Sequence, residues 1–293
     1  MGVIEIIKRI DAVSISSDAV ITQMKHEEDD GLYQVWRIDD GGNKYILKEA
    51  KGNEKEIYDL LISGLKIGAP ALYQSVTHNG KEYLLLEYVD GEDLCKCNRQ
   101  SLTMVLDVLI EMQKRTWTHA FDSSGYYYEE SLKQREGRKD HLNDSVLEMA
   151  YAHFLKVYKK TPRALCHDDL LPFNVICSDK GATLIDWEYG GILPYPTPLA
   201  RLIAHAEQKD DALFFMTDSD KEFAIEYYYE KLVRDKGITH SEWLNTLDAF
   251  MLYEYCEWVF VGNKYDAKNG EYYLKYLPIA SDQARKMLDK LDV

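Results

Sequence analysis

Between residues 20 and 90, apolar and polar positions alternate in short runs bounded by Gly, Asp and Asn, the period of two that a half-buried strand requires. Tyr33-Gln34-Val35-Trp36-Arg37-Ile38 and Lys44-Tyr45-Ile46-Leu47-Lys48 are two such runs, and Asp39-Asp40-Gly41-Gly42-Asn43 between them suits a hairpin. From Asn53 the period lengthens. Ile57, Leu60, Leu61 and Leu65 form one stripe of a helix that Gly68 and Pro70 bring to a stop. Leu72 to Thr77 and Glu82 to Tyr88 then predict two more strands around the turn His78-Asn79-Gly80. A five-stranded antiparallel sheet with one helix is expected before about residue 90.

After Val89-Asp90-Gly91 the pattern becomes mostly helical, over 101 to 117, 141 to 159, and from about 198 to the end. The exception lies at 165 to 187. There Ala164-Leu165-Cys166 leads into a polar loop, and Val175-Ile176-Cys177 and Thr183-Leu184-Ile185 flank Ser178-Asp179-Lys180-Gly181 as a short hairpin. The expected class is α+β: a small sheet lobe over 1–90 ending in a hinge, then a larger, mainly helical lobe over 91–293 with one embedded hairpin.

Composition narrows the picture. The 293 residues are 46% hydrophobic and 29% charged, with 7 Pro and 17 Gly, which excludes a disordered, collagen-like or low-complexity chain. The length suits about two cores at ~150 residues each. A formal net charge of −15 repels a phosphate backbone or an anionic membrane, so neither is an expected partner. Cys95, Cys97, Cys166, Cys177 and Cys256 are odd in number and lack the two-residue gap of a zinc knuckle, which suits thiols in a reducing cytoplasm. Glu5, Lys8 and Arg9 interrupt the stretch that a signal peptide keeps apolar, and position 6 is Ile where a myristoylation signal needs Ser or Thr. No run reaches the ~18 apolar residues of a membrane span. The expected location is cytoplasmic.

The polar loop reads Cys166-His167-Asp168-Asp169-Leu170-Leu171-Pro172-Phe173-Asn174, and twelve residues after Asn174 comes Asp186 in Ile185-Asp186-Trp187-Glu188. His-x-Asp-x4-Asn followed by Ile-Asp-Trp at a hairpin's end resembles the catalytic loop of the aminoglycoside phosphotransferase and choline kinase superfamily. The resemblance implies the bilobal protein-kinase fold and transfer of the γ-phosphate of ATP, with Mg2+, to a hydroxyl of a small molecule. In that chemistry a carboxylate orients and deprotonates the attacking hydroxyl while oxygen ligands hold Mg2+ across the phosphates. Asp169 takes the first role, and Asn174 and Asp186 the second. His167 is expected as a hydrogen-bonding support of the loop.

The same resemblance assigns residues upstream. Lys48 ends its strand where a kinase keeps its phosphate lysine. Glu56, fourteen residues before Pro70, stands where the family places the glutamate that pairs with it, with Glu54 as the alternative. Leu84 to Gly91 resembles the strand-to-hinge segment that binds adenine, so Glu87 and Val89 are expected as backbone contacts only. Two features depart from the family pattern. The turn over the phosphates reads Glu27-Glu28-Asp29-Asp30-Gly31, acidic and with one glycine, and four carboxylates beside a triphosphate cost binding unless they point away or face a cation. Pro198-Leu199-Ala200 stands where the family usually has Asp-Leu-Ala, whose Asp braces the loop. A protein kinase is disfavoured: Asp168 sits where His-Arg-Asp loops carry arginine, Asp186 is followed by Trp-Glu, and no Ala-Pro-Glu follows.

For the acceptor, the segment Phe250 to Gly262 mixes aromatics with acids. Glu254 and Glu257 are helical neighbours, with Trp258 four beyond Glu254, a set able to receive an ammonium group by charge and cation-π attraction. The expected acceptor is a small, cationic molecule such as an aminoglycoside, choline or a related amino alcohol. The alternatives are a neutral or anionic metabolite of the methylthioribose or homoserine type, or a catalytically silent binding protein with the same fold. The sequence leaves the oligomeric state open.

Overall fold

A computed structural model describes residues 2–25, 31–118 and 127–291. After a short helix α1 (Gly2–Ile7) come five antiparallel strands, β1 (Val20–Lys25), β2 (Leu32–Asp40), β3 (Asn43–Glu49), β4 (Leu72–His78) and β5 (Lys81–Glu87), in the spatial order β1-β2-β3-β5-β4. The hairpins close where expected. β4 passes to β5 through Asn79-Gly80, whose φ values of 50° and 75° give a turn twisted in the same sense as the strands.

Alternation along the strands decides what faces where. Tyr45, Leu47, Tyr83 and Leu85 enter a small core with Trp36, Ile38 and Val76, closed by Ile6 of α1. Leu84 and Leu86, out of phase by one residue, enter a larger core on the opposite face. Lys48 follows Leu47 and is turned to that second face, the one that carries the site. The expected helix is α2, made of Glu54–Ile57, Tyr58–Ile62 and Ser63–Leu65, with its middle piece wound as a π-turn. α1 corrects the expectation of a single helix here; at 6 residues it is too short for a helical period to be read.

Beyond β5 follow β6 (Glu92–Asp93), α3 (Arg99–Thr116), α4 (Tyr128–Lys139), α5 (Ser145–Lys160), β7 (Arg163–His167), β8 (Val175–Ser178), β9 (Gly181–Leu184), β10 (Gly190–Pro194), α6 (Thr197–Ala204), α7 (Asp218–Tyr228), α8 (His240–Lys264) and α9 (Glu271–Asp289). Side-chain caps start the helices that the pattern anticipates: Asn98 for α3, Asp144 for α5 and Thr239 for α8 each accept from the first-turn N–H groups. β8 and β9 are the embedded hairpin, extended by β6, while β7 pairs with β10. The larger core runs from Ile57, Tyr58, Ile62, Leu84 and Leu86 around the sheet to Ala280 and Met287 of α9. No helix among the described residues is long and apolar enough to cross a membrane.

The approach of α2 to the segment after Asp186 rests on Gly52. Its φ is +51°, and a Cβ there would lie 2.3 Å from the carbonyl oxygen of Glu188. Gly64, on the exposed side of α2, has open space around it. Gly52→Ala is therefore expected to lower the unfolding free energy by about 1–3 kcal/mol through backbone strain and overpacking. Gly64→Ala is expected to raise it by roughly 0.4–1 kcal/mol. Denaturant midpoints check both, and a common sign would contradict the close fit at Gly52.

Candidate active site

The polar loop hangs between two fixed points. All five residues of β7 are buried, and the strand ends on His167, whose Nε2 donates to the carbonyl of Ile185 at 2.7 Å. Burial lowers the His167 pKa, its Nδ1 has no partner among the described residues, and the neutral ring packs on Trp187 with centroids 4.8 Å apart. At the other end, the Asn174 amide donates from Nδ2 to the Asp169 carbonyl at 2.8 Å, which leaves its Oδ1 available. The hairpin register pairs Val175 with Leu184, and Ile185 N–H donates to the Asn174 carbonyl at 2.9 Å. Asn174 and Asp186 therefore meet at one end of the hairpin although twelve residues separate them. Asp186 itself is left-handed, with φ 64° and ψ 62°, a conformation that Asp tolerates better than most residues.

Lys48 joins this end of the hairpin to the sheet. Its Nζ donates to Glu54 Oε1 at 2.9 Å and also to Asp186 Oδ1. The pairing expected at Glu56 falls to Glu54. The two glutamates lie two residues apart, roughly 200° around a helix, so when Glu54 turns inward and is 1% exposed, Glu56 is left facing solvent. Burial by itself lowers the Lys48 pKa, but the two carboxylates outweigh it and the net shift is upward. Asn53 fixes the start of α2: its N–H donates to Glu188 O at 3.2 Å and its side-chain amide to the Gly190 carbonyl. At the hinge, Glu87 N–H is committed to Ala71 O at 2.9 Å, so it is not open to a ligand. Val89 follows the end of β5 and its N–H makes no hydrogen bond among the described residues. Residues 27–30 of the acidic turn lie outside the described residues.

Two arginines that the sequence did not single out dominate the rest of the loop. Arg201 of α6 donates to Asp169 Oδ1 from Nε at 3.1 Å and from Nη2 at 2.8 Å. Its Nη1 donates to Glu254 Oε2 at 2.9 Å and to Glu257 Oε2 at 2.5 Å. The structure thus joins Glu254 and Glu257 to Asp169 through a cation of the chain's own. Burial by itself raises the Glu254 pKa; Arg201 and His205 reverse this and hold it at about 2. His205, Glu254 and Glu257 offer ligand atoms within 4.8 Å of one another, yet Arg201 is already bonded to this group. Trp258 stacks on Tyr272 of α9 at 4.3 Å, so one face of its ring is covered.

The second arginine is Arg135 of α4, which donates to Asp168 from Nη2 at 2.5 Å and from Nη1 at 3.1 Å. Its guanidinium lies over the rings of Tyr158 and Tyr253 at 4.9 and 4.4 Å. Both charges are almost wholly buried, and leaving either alone would cost about 3–5 kcal/mol. Pro198, where the family brace is missing, is buried at the head of α6, and Asp168 ties the loop to α4 instead. Arg201 had a signal, a lone cation inside the apolar run TPLARLIA; Arg135 had none, because α4 is polar almost throughout.

The profile of the phosphotransferase enzyme family matches residues 29–224. Protein LicA of Haemophilus influenzae (strain ATCC 51907 / DSM 11121 / KW20 / Rd) is 24% identical over 164 residues, 54% of this chain and 54% of LicA, so the match spans about half the length of that relative. Among solved structures, choline kinase from Cryptosporidium parvum Iowa II superposes with a TM-score of 0.62 at 14% identity, covering 97% of this chain and 92% of that one. A thermostable mutant of aminoglycoside phosphotransferase APH(4)-Ia, in ternary complex with AMP-PNP and hygromycin B, gives 0.57 at 14% identity, covering 93% and 94%. At such identities these likenesses show the fold, which is that of the bilobal kinases. With the profile covering two thirds of its length, the chain belongs to the phosphotransferase enzyme family.

Proposed function

We propose that this chain transfers the γ-phosphate of ATP to a hydroxyl of a small molecule, with residues 1–90 as the nucleotide lobe and 91–293 as the catalytic and acceptor lobe. The observation that carries the reading is the Lys48 ammonium bridging Glu54 and Asp186 beside the Asp169 loop. It is the arrangement that phosphoryl transfer needs: a fixed cation for the phosphates, a carboxylate for the hydroxyl and oxygen ligands for a metal. Asn174 Oδ1 and the Asp186 oxygen not bonded to Lys48 are hard donors suited to Mg2+, which when bound would neutralise charge across the phosphates. In this reading Glu87 and Val89 offer their backbone groups to adenine, and His167 supports the loop.

Asp169 receives the acceptor's hydroxyl proton as the new oxygen–phosphorus bond forms and the bond to the bridging oxygen breaks, its electron pair leaving with ADP. The AMP-PNP in the ternary complex described above supports ATP as donor. The free thiols of Cys97, Cys166, Cys177 and Cys256 favour the cytoplasm. A silent binding protein would have no use for the intact Lys48, Asp169, Asn174 and Asp186.

The acceptor in this reading is cationic, an aminoglycoside, choline or related amino alcohol. Likeness to a choline kinase and to a hygromycin-bound phosphotransferase supports it, as do three carboxylates, Asp169, Glu254 and Glu257, against the two guanidiniums of Arg201 and Arg138. One observation favours a second reading: Arg201 already neutralises Glu254 and Glu257, which suits a neutral or anionic acceptor.

Incubation with Mg2+, ATP and a panel of aminoglycosides, amino alcohols, sugars and acidic hydroxy compounds, with ADP release as readout, tests these readings. Preference for ammonium compounds supports the first acceptor class, and preference for sugars or acids the second. Asp169→Asn is expected to lower turnover by about 10² or more while ATP binding survives; unchanged turnover removes Asp169 from the chemistry. Glu54→Gln should cut kcat/KM for ATP by roughly tenfold or more, the equivalent of about 1.4 kcal/mol. Glu56→Gln, at an exposed position, should leave it within about twofold, which steady-state kinetics at varied ATP would show.

A further inference from the structure

We propose that Arg201 is the positioning residue for the Asp169 carboxylate, a role that rests on the reading of Asp169 as the group that meets the acceptor hydroxyl. Both Nε and Nη2 of Arg201 fall on one oxygen, Oδ1. No described group donates to the other, Oδ2, which is left to accept from a hydroxyl. A fork of two hydrogen bonds on one oxygen fixes the rotation of the carboxylate about its last side-chain bond, because a turned group would lose both at once.

Arg201 is itself held. Its third nitrogen, Nη1, is bonded to Glu254 and Glu257 on α8, and Arg138 lies 3.6 Å from the other oxygen of Glu257. Glu254 is 2% exposed, and seven of the eight residues of α6 are buried, so neither the anchor nor the helix that carries Arg201 has room to shift. The Asp169 side chain, by contrast, is 29% exposed on a loop. Without the fork it would be the least restrained carboxylate of the site. The neighbouring Asp168 cannot take its place, being held by Arg135 in the interior.

Arg201 aids the reaction where the orientation of the carboxylate governs the rate. Phosphoryl transfer through a loose transition state is such a case: the attacking oxygen carries little bond to phosphorus when its proton moves, and catalysis comes mainly from placement. An Asp fixed at one oxygen and open at the other meets that demand.

The test uses the full chain with Mg-ATP, with ADP release measured on choline, kanamycin, methylthioribose, homoserine and water as acceptors. Arg201→Gln should lower kcat roughly 10- to 100-fold with KM for ATP held within about twofold, and Arg201→Lys, which keeps the charge but not the fork, should fall between. In an Asp169→Asn background, Arg201→Gln should cost nothing further, since it acts through Asp169; a full second loss would mark a merely structural role and overturn the proposal. Arg201→Gln leaves Glu254 buried without its cation, so the variant Arg201→Gln with Glu254→Gln and Glu257→Gln is made as well. If it melts within a few degrees of the wild type and keeps wild-type kcat, the proposal fails. Asp169→Asn with unchanged kcat, or no ADP release from the wild type on any of the five acceptors, would defeat the kinase reading itself and this proposal with it. Loss in Asp169→Asn without loss in the Arg201 variants would defeat this proposal alone.

Discussion

Lys48 donates to Glu54 on its own side of the hinge and to Asp186 on the other, and much of the architecture can be traced to keeping those three groups together. A carboxylate as deeply buried as Glu54 is tolerable only with a cation in contact, and one of its two oxygens still lacks a partner among the described residues. That cation is available because β3 alternates, sending Tyr45 and Leu47 to the outer core and Lys48 to the inner face. Glu54 reaches it because Asn53 and Gly52 press the start of α2 against the residues that follow Asp186. The ion pairs and the close backbone fit are therefore one device. Separating α2 from the Glu188 segment would leave a buried acid and a half-buried lysine without their contacts.

The adjacent aspartates of the loop show how burial divides labour between like groups. Asp168 and Arg135 are sealed among Tyr158 and Tyr253, where an ion pair has no solvent to compete with and serves to fix the chain. Asp169 and Arg201 stand at the edge, one oxygen bonded and the other open. In the turn that follows β7, one residue of separation is enough to point the first inward and the second outward.

What was legible in the sequence was what local backbone geometry controls. Asp169, Asn174 and Asp186 share a loop and a hairpin, so their spacing alone brings them together, and Lys48 follows from a strand's alternation. Glu54 and Glu56 differ only by helical phase, which a count back from Pro70 does not fix when a π-turn intervenes. Arg135 and Arg201 were hidden for another reason: their carboxylate partners lie 33 and 32 residues away at the nearest, and nothing in a local window marks such a pairing. α4 escaped because the residues it buries, Tyr128, Ser131 and Arg135, are mostly polar and give no apolar stripe. The acids of α8 stand out by composition, whereas the counter-ion of Glu254 lies on another helix.

The larger core crosses the hinge without a break, from Leu84 and Leu86 through Val105 and Leu109 of α3 to the C-terminal helix. A chain cut near residue 90 would therefore yield no pair of self-sufficient halves. The first piece would carry Ile57, Tyr58, Ile62, Leu84 and Leu86 as a bare apolar face, and the second would lose the lid over its own interior. Fragment complementation, in which the two pieces regain solubility only on meeting, is the behaviour that such a shared interior imposes, and it makes the hinge a poor site for fusing or exchanging lobes between relatives.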